Sequence, residues 1–131
     1  MSRTLRTLLG LALFAGSLIC QKPATPPAGE PPEEDESLTA TETFAFNPLQ
    51  ASKEMTVGNY YAKAGKWKAA AKRYERATKW NPGEVVAWFK LGNMREKMND
   101  TKGAKEAYAK VVDLAPGSKD AAAAKKRLAK L

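Results

Sequence analysis

The chain has 131 residues, a formal net charge of +8, no histidine and a single cysteine, Cys20. That length holds one small domain with appendages. The composition excludes a His/Cys metal site, Ser-His or Cys-His catalysis and any disulfide within the chain.

The charge is divided along the chain. Residues 1–20 carry Arg3 and Arg6; residues 21–50 carry one lysine against six carboxylates, a net of −5; residues 51–131 carry nineteen Lys/Arg against eight Asp/Glu, a net of +11. A basic body therefore follows an acidic strap.

Residues 1–20 read as an export signal: two arginines, then a largely apolar, uncharged run from Leu8 to Cys20. The run is shorter than the ~20 residues a membrane-spanning helix needs. Its end admits three outcomes. Ser17-Leu18-Ile19-Cys20 resembles the lipobox of bacterial lipoproteins, in which the cysteine is lipidated and cleavage falls just before it, although Ile19 stands where that pattern wants a small residue. Ala15-Gly16-Ser17 offers a small-x-small cleavage site that would release a soluble protein, and an uncleaved anchor is the third. All three place the body outside the cytoplasm, with Gln21 compatible with outer-membrane sorting.

Residues 21–47 read as a disordered tether. Five prolines between Pro23 and Pro32 remove backbone donors, and Glu33-Glu34-Asp35-Glu36 repels itself. Phe44 and Phe46 are expected to pin its end onto the body.

From Asn47-Pro48 the pattern is helical, Asn as N-cap and Pro at the first helical position. The punctuation predicts helices over 48–64, ended by Gly65; 67–80, stopped by Asn81-Pro82-Gly83; 84–98, turned by Asn99-Asp100; 101–115, stopped by Pro116-Gly117; and a last one from the Ser118 cap to Leu131 with Ala121, Ala124, Leu128 and Leu131 on one face.

Within this region one 34-residue pattern is written twice. The shift lays Val57 on Leu91, Gly58 on Gly92, Asn59 on Asn93, Ala70 on Ala104, Tyr74 on Tyr108, Ala77 on Val111 and Pro82-Gly83 on Pro116-Gly117. A fixed period of this length marks a repeat architecture. At these residues the chain resembles the tetratricopeptide repeat family. Val57-Gly58, Tyr61, Ala70, Tyr74, Ala77 and Pro82 carry the resemblance in the first unit; Trp88, Leu91-Gly92, Ala104, Tyr108 and Pro116 carry it in the second. Glu54 and Arg95 depart from it, the first where Trp or Leu is expected, the second where Tyr61 has its ring. Glu54 is expected to be tolerated because no earlier repeat packs there.

The resemblance implies an all-α fold, a short α-solenoid of two helix pairs (repeats 51–84 and 85–118) with a capping helix over 119–131, making a domain of residues 48–131. Tyr74, Tyr108, Trp80 and Leu114 are expected to supply core bulk around Gly58 and Gly92. Two repeats and a cap make a marginal core, and support from a partner, from self-association or from Phe44 and Phe46 remains open.

It also implies a concave groove, lined by the first helix of each pair, that takes a partner peptide or helix. Its residues here would be Ser52, Met55, Asn59, Ala62 and Lys63, then Val86, Phe89, Asn93, Glu96 and Lys97. Asn59 and Asn93 could pair with a peptide backbone; Met55, Val86 and Phe89 would form an apolar floor; Lys63 and Lys97 would suit acidic ligands. For Phe89, packing against the last helix is the competing role. The clamp with which some members hold a C-terminal carboxylate is not written here: Met55, Lys90, Asp120 and Ala124 replace its residues, and only Asn59 matches.

The expected function is a non-catalytic adaptor of the bacterial envelope, without cofactor or metal, bound to another protein, lipid-anchored through Cys20 and self-associating as an option. The alternative is a basic peripheral domain on an anionic membrane or polyanion, which gains about 1 kcal/mol per nearby basic residue. Nucleic acid is not the expected partner, since an export signal precedes the basic body and no nucleic-acid motif is written in it.

Overall fold

The computed structural model describes residues 43–131. The expected export segment, Cys20 and the Pro-rich acidic stretch up to residue 42 lie outside the described residues.

The described residues form five helices: α1 (Pro48–Lys63), α2 (Trp67–Trp80), α3 (Val85–Lys97), α4 (Thr101–Leu114) and α5 (Lys119–Leu128). Each packs against its neighbours in sequence, and α3 also meets α5. No helix among them is long and apolar enough to cross a membrane. Most boundaries agree with the punctuation to within a residue. The exception is α5, which ends at Leu128 rather than Leu131, although Leu131 still packs against the core.

The starts and stops have local causes. Asn47 accepts from the Gln50 N–H with Pro48 at the first helical position, Asp100 accepts from the Gly103 N–H, and Ser118 accepts from the Ala121 N–H. These side chains satisfy amide donors that a helix start leaves open. After α1 the chain turns through Gly65 at φ 73°, and after α3 through Asn99 at φ 59°. The two positions are 34 residues apart, so both pairs use the same left-handed turn, taken once by glycine and once by asparagine, the side chain that tolerates it best.

The core is built on two copies of one contact. Tyr74 and Tyr108 are fully buried, as are Ala70, Ala77, Ala104 and Leu91. A Cβ on Gly58 would lie 2.6 Å from Cε1 of Tyr74, and one on Gly92 would lie 2.6 Å from Cε1 of Tyr108. Each ring thus lies flat against a helix that has no side chain at that point. Trp88 packs into both main clusters, and its indole N–H donates to the Pro82 carbonyl at 2.8 Å.

Three expectations require correction. Phe44 does hold the strap: its ring meets Trp80 edge-on at 4.8 Å, Lys79 Nζ sits 5.4 Å above it, and the Asn47 N–H donates to the Trp80 carbonyl. Phe46, however, is 73% exposed and pins nothing. Leu114 is 43% exposed and supplies no core bulk. It is the 34-residue counterpart of Trp80, which Phe44 covers.

Glu54 is the third correction. Its side chain is only 4% exposed, and its carboxylate takes Arg73 Nη1 at 3.0 Å, Arg76 Nε at 3.3 Å and Gln50 Nε2 at 3.2 Å. Where the second pair places the Trp88 indole, the first places a carboxylate between two arginines of α2. The position is filled, not vacant. Arg95 likewise replaces a ring by reach, donating to the Gly103 carbonyl at 3.1 Å.

Two outcomes follow for urea unfolding. Gly92→Ala should cost about 1–3 kcal/mol, because the new methyl must displace a fully buried ring. Glu54→Ala should cost about 3 kcal/mol by leaving two half-buried guanidinium groups without their carboxylate, with Glu54→Leu costing less than Glu54→Ala.

Candidate functional site

The first helix of each pair carries its groove positions in register. The same step taken once more reaches α5, since Arg127 follows Asn93 by 34 residues as Asn93 follows Asn59. The expected groove would therefore take in three helices, α1, α3 and α5.

Beneath it lie two polar clusters. In the first, the Tyr74 phenol donates to Asn59 Oδ1 at 2.9 Å, and Lys90 Nζ donates to the same oxygen at 2.6 Å. Lys90 also lies 5.8 Å from the centre of the Tyr74 ring. Both lone pairs of that oxygen are used, so Asn59 can offer a ligand only its amide N–H groups.

In the second cluster the Tyr108 phenol lies 2.7 Å from both Asn93 Oδ1 and Glu96 Oε2, and Arg127 Nη1 donates to Glu96 Oε1 at 3.1 Å. The phenol has one proton for two acceptors. The carboxylate is the stronger acceptor, so the Asn93 amide is the contact more easily given up to a ligand. The clusters share a plan but not the repeat register: Lys90 follows Asn59 by 31 residues and Arg127 follows Glu96 by 31, while the 34-residue counterpart of Lys90 is Ala124. In each, a cation from one lining helix clasps an acceptor on the lining helix before it, over a tyrosine from the second helix of the pair.

Between α3 and α5 the surface opens into a cleft of about 530 Å³ lined by Asn93, Met94, Glu96, Lys97 and Arg127. Two cations face one carboxylate there. Lys97 is exposed, with Nζ 5.7 Å from the centre of the Trp67 ring.

The remaining expected residues fall in different places. Lys63 is exposed, and Val86 is 41% exposed. Met55 is half-buried against the clusters around Tyr74 and Ala87. Phe89 is half-buried against the cluster containing Ala121 and Ala124 of α5, its ring tilted 5.7 Å from that of Tyr108. Packing toward the last helix, the competing role for Phe89, is thus part of what this ring does. Of the expected set, Asn93, Glu96 and Lys97 line the cleft itself. Sequence reasoning missed Arg127, which stands beside Lys125 and Lys126 in the last helix, and weighed Lys90 only as a departure from the clamp. The 34-residue register, carried one step further, would have found Arg127.

Both buried phenols are held in their protonated form, and the nearby carboxylates are paired with cations. Burial pushes both Tyr74 and Tyr108 above the ordinary tyrosine value of 10.0. For Tyr108 the hydrogen bond to Glu96 and its charge add to the rise, while Arg127 opposes it. Glu54 is paired with Arg73 and Arg76, Glu75 lies 3.6 Å from Lys79 and 3.9 Å from Arg95, and Glu96 is paired with Arg127. Among the described residues no cluster of His, Cys, Asp or Glu could hold a metal ion.

The raised phenol gives a pH dependence with a definite sign. The folded state favours the protonated form, so the stabilisation is fully present below pH ~10 and is lost as pH rises above it. Alkaline titration followed by circular dichroism should show stability falling from about pH 10, and Tyr108→Phe should remove part of that slope while lowering stability at neutral pH by about 1 kcal/mol.

In comparison with known families, the model described as Tetratricopeptide repeat matches residues 61–128, just over half of the chain. The match starts inside α1 and runs to the end of α5. No curated protein matches the chain.

Proposed function

The chain belongs to the tetratricopeptide repeat family, whose repeats generally mediate protein–protein interaction and are typically non-catalytic, and from that premise we propose that it is an adaptor that binds a segment of another protein in the groove lined by α1, α3 and α5. The observation that carries this is the pair of clusters under the groove. Each fixes an amide or a carboxylate with a buried phenol and a cation from the next lining helix, so polar groups stand ready-oriented along one concave line. Fixed polar groups lower the ordering cost of taking up an extended chain.

The finer reading remains the one the N-terminal sequence suggests. The body is exported to the bacterial envelope, held at a membrane through Cys20, and engages another envelope protein. The lipobox-like Ser17-Leu18-Ile19-Cys20 and the Pro-rich acidic strap support this placement.

The test is capture from solubilised envelope at low and high salt. A Lys63→Ala/Val86→Ser/Lys97→Ala variant changes only exposed or largely exposed groove positions and should retain the wild-type fold. The expected result is a protein held by wild type at both salts and bound at least about tenfold less by the variant, since loss of groove contacts acts mainly on release. Capture that collapses with salt and ignores the variant would favour the charged surface instead.

A further inference from the structure

We infer that the cleft between α3 and α5 recognises a side-chain carboxylate on an acidic, extended segment of the bound protein, and that Glu96 holds that carboxylate's place in the free protein. This rests on the groove reading above and adds the chemistry of the ligand.

The clasp between Glu96 and Arg127 has the features of an exchangeable pair. It is made through one nitrogen only, Nη1 to Oε1 at 3.1 Å, and the two side chains are 48% and 27% exposed. A guanidinium is shaped to meet a carboxylate with two parallel N–H groups, so a single contact leaves recognition capacity unused. An ion pair this open to solvent adds little stability, so parting it costs little.

Exchange also leaves nothing orphaned. Glu96 is held from its other oxygen by the Tyr108 phenol at 2.7 Å, so it keeps a hydrogen bond after Arg127 turns to a ligand. Asn93 and Lys97, which line the same cleft, can meet the flanking backbone and a second carboxylate. Lys90 extends the cationic line toward α1. Among the described residues Glu96 is the one acid lining the cleft, against Lys97 and Arg127, so the site has a net positive charge that suits acid from outside.

The chain's own Glu33-Glu34-Asp35-Glu36 shares this chemistry, but its point of entry is unfavourable. The strap meets the body where Phe44 packs on Trp80 and Asn47 caps the start of α1. Lys97 ends α3, and Arg127 lies near the end of α5. The length of α1, ~24 Å, and two helix spacings of ~9 Å separate that entry from the cleft. The eight residues from Glu36 to Phe44 span at most ~28 Å when fully stretched. The ligand is therefore assigned to another protein.

The test uses the full chain and a labelled peptide blocked at both ends, carrying a short run of Glu and Asp between glycines, with its Gln/Asn counterpart as control. Blocking the ends removes a terminal carboxylate from consideration. Fluorescence anisotropy should show binding of the acidic peptide and none of the control. Glu96→Gln, which removes the built-in competitor and keeps an acceptor for Tyr108, should tighten binding about tenfold, and Arg127→Ala should weaken it about tenfold. Glu106→Gln, an equal change of charge on the exposed part of α4, should shift it less than about twofold.

The inference falls if the acidic peptide does not bind, or if Glu106→Gln tightens it as much as Glu96→Gln does, which would make the effect one of net charge. If neutralising residues 33–36 tightens binding in the wild-type groove, the assignment to an outside segment is overturned and the site belongs to the chain's own run. A groove-dependent partner captured from the envelope while the acidic peptide fails would sink only this inference, leaving the adaptor reading in place.

Discussion

The absence of a side chain at Gly58 and Gly92 is the constraint from which the rest of the molecule follows. At both places the nearest carbon of a tyrosine ring lies only 2.6 Å from where a Cβ would sit. The close approach fixes the separation of α1 from α2 and of α3 from α4. It also decides where each phenol emerges, and both emerge at the groove: Tyr74 on Asn59, Tyr108 on Asn93 and Glu96. Packing and recognition therefore share the same side chains. A change that moves either ring moves the polar group above it.

Around this repeated contact the two pairs solve their other positions differently. The second pair places Trp88 between clusters, with its indole N–H bonded to the Pro82 carbonyl. The first places Glu54 between Arg73 and Arg76. A carboxylate so enclosed costs desolvation and returns it only through well-placed partners, so it contributes geometric definition more than net stability. It ties the middle of α1 to α2 at the end of the array where no earlier repeat helps. At the opposite end α5 does comparable work with apolar contacts, burying Ala121 and Ala124 and clasping α3 through Arg127.

Much of the fold was legible in the sequence because its cause is periodic. Gly58 and Gly92, the alanines and tyrosines facing them, and the Asn-Pro and Pro-Gly stops recur at one spacing, and the helices follow. What escaped in the packing was not periodic. The surroundings of Glu54 depend on two arginines some twenty residues away that have no counterpart role in the second pair. Leu114 reads as the copy of Trp80, yet burial of Trp80 depends on Phe44, which belongs to no repeat. Phe46 looks equivalent to Phe44, but residues two apart share a face only where the chain is a regular strand, and here it is about to enter a helix. At the candidate site, α1 and α3 with Asn59, Asn93, Glu96 and Lys97 were legible; α5 and Arg127 were missed although the 34-residue register reaches them, and the clasps made by Lys90 and Arg127 were not legible, because a contact across 31 residues leaves no mark in a local pattern.

The most direct test of the link between core and groove is a double-mutant cycle on Tyr108→Phe and Glu96→Ala, read by urea unfolding at neutral pH. If the buried ring positions the groove carboxylate, the two changes should be coupled by about 1–2 kcal/mol, as expected for a hydrogen bond to a charged acceptor. Additive effects, with a coupling under about 0.3 kcal/mol, would mean that the phenol and the carboxylate are neighbours without being partners, and that the groove's polar groups are not set by the core.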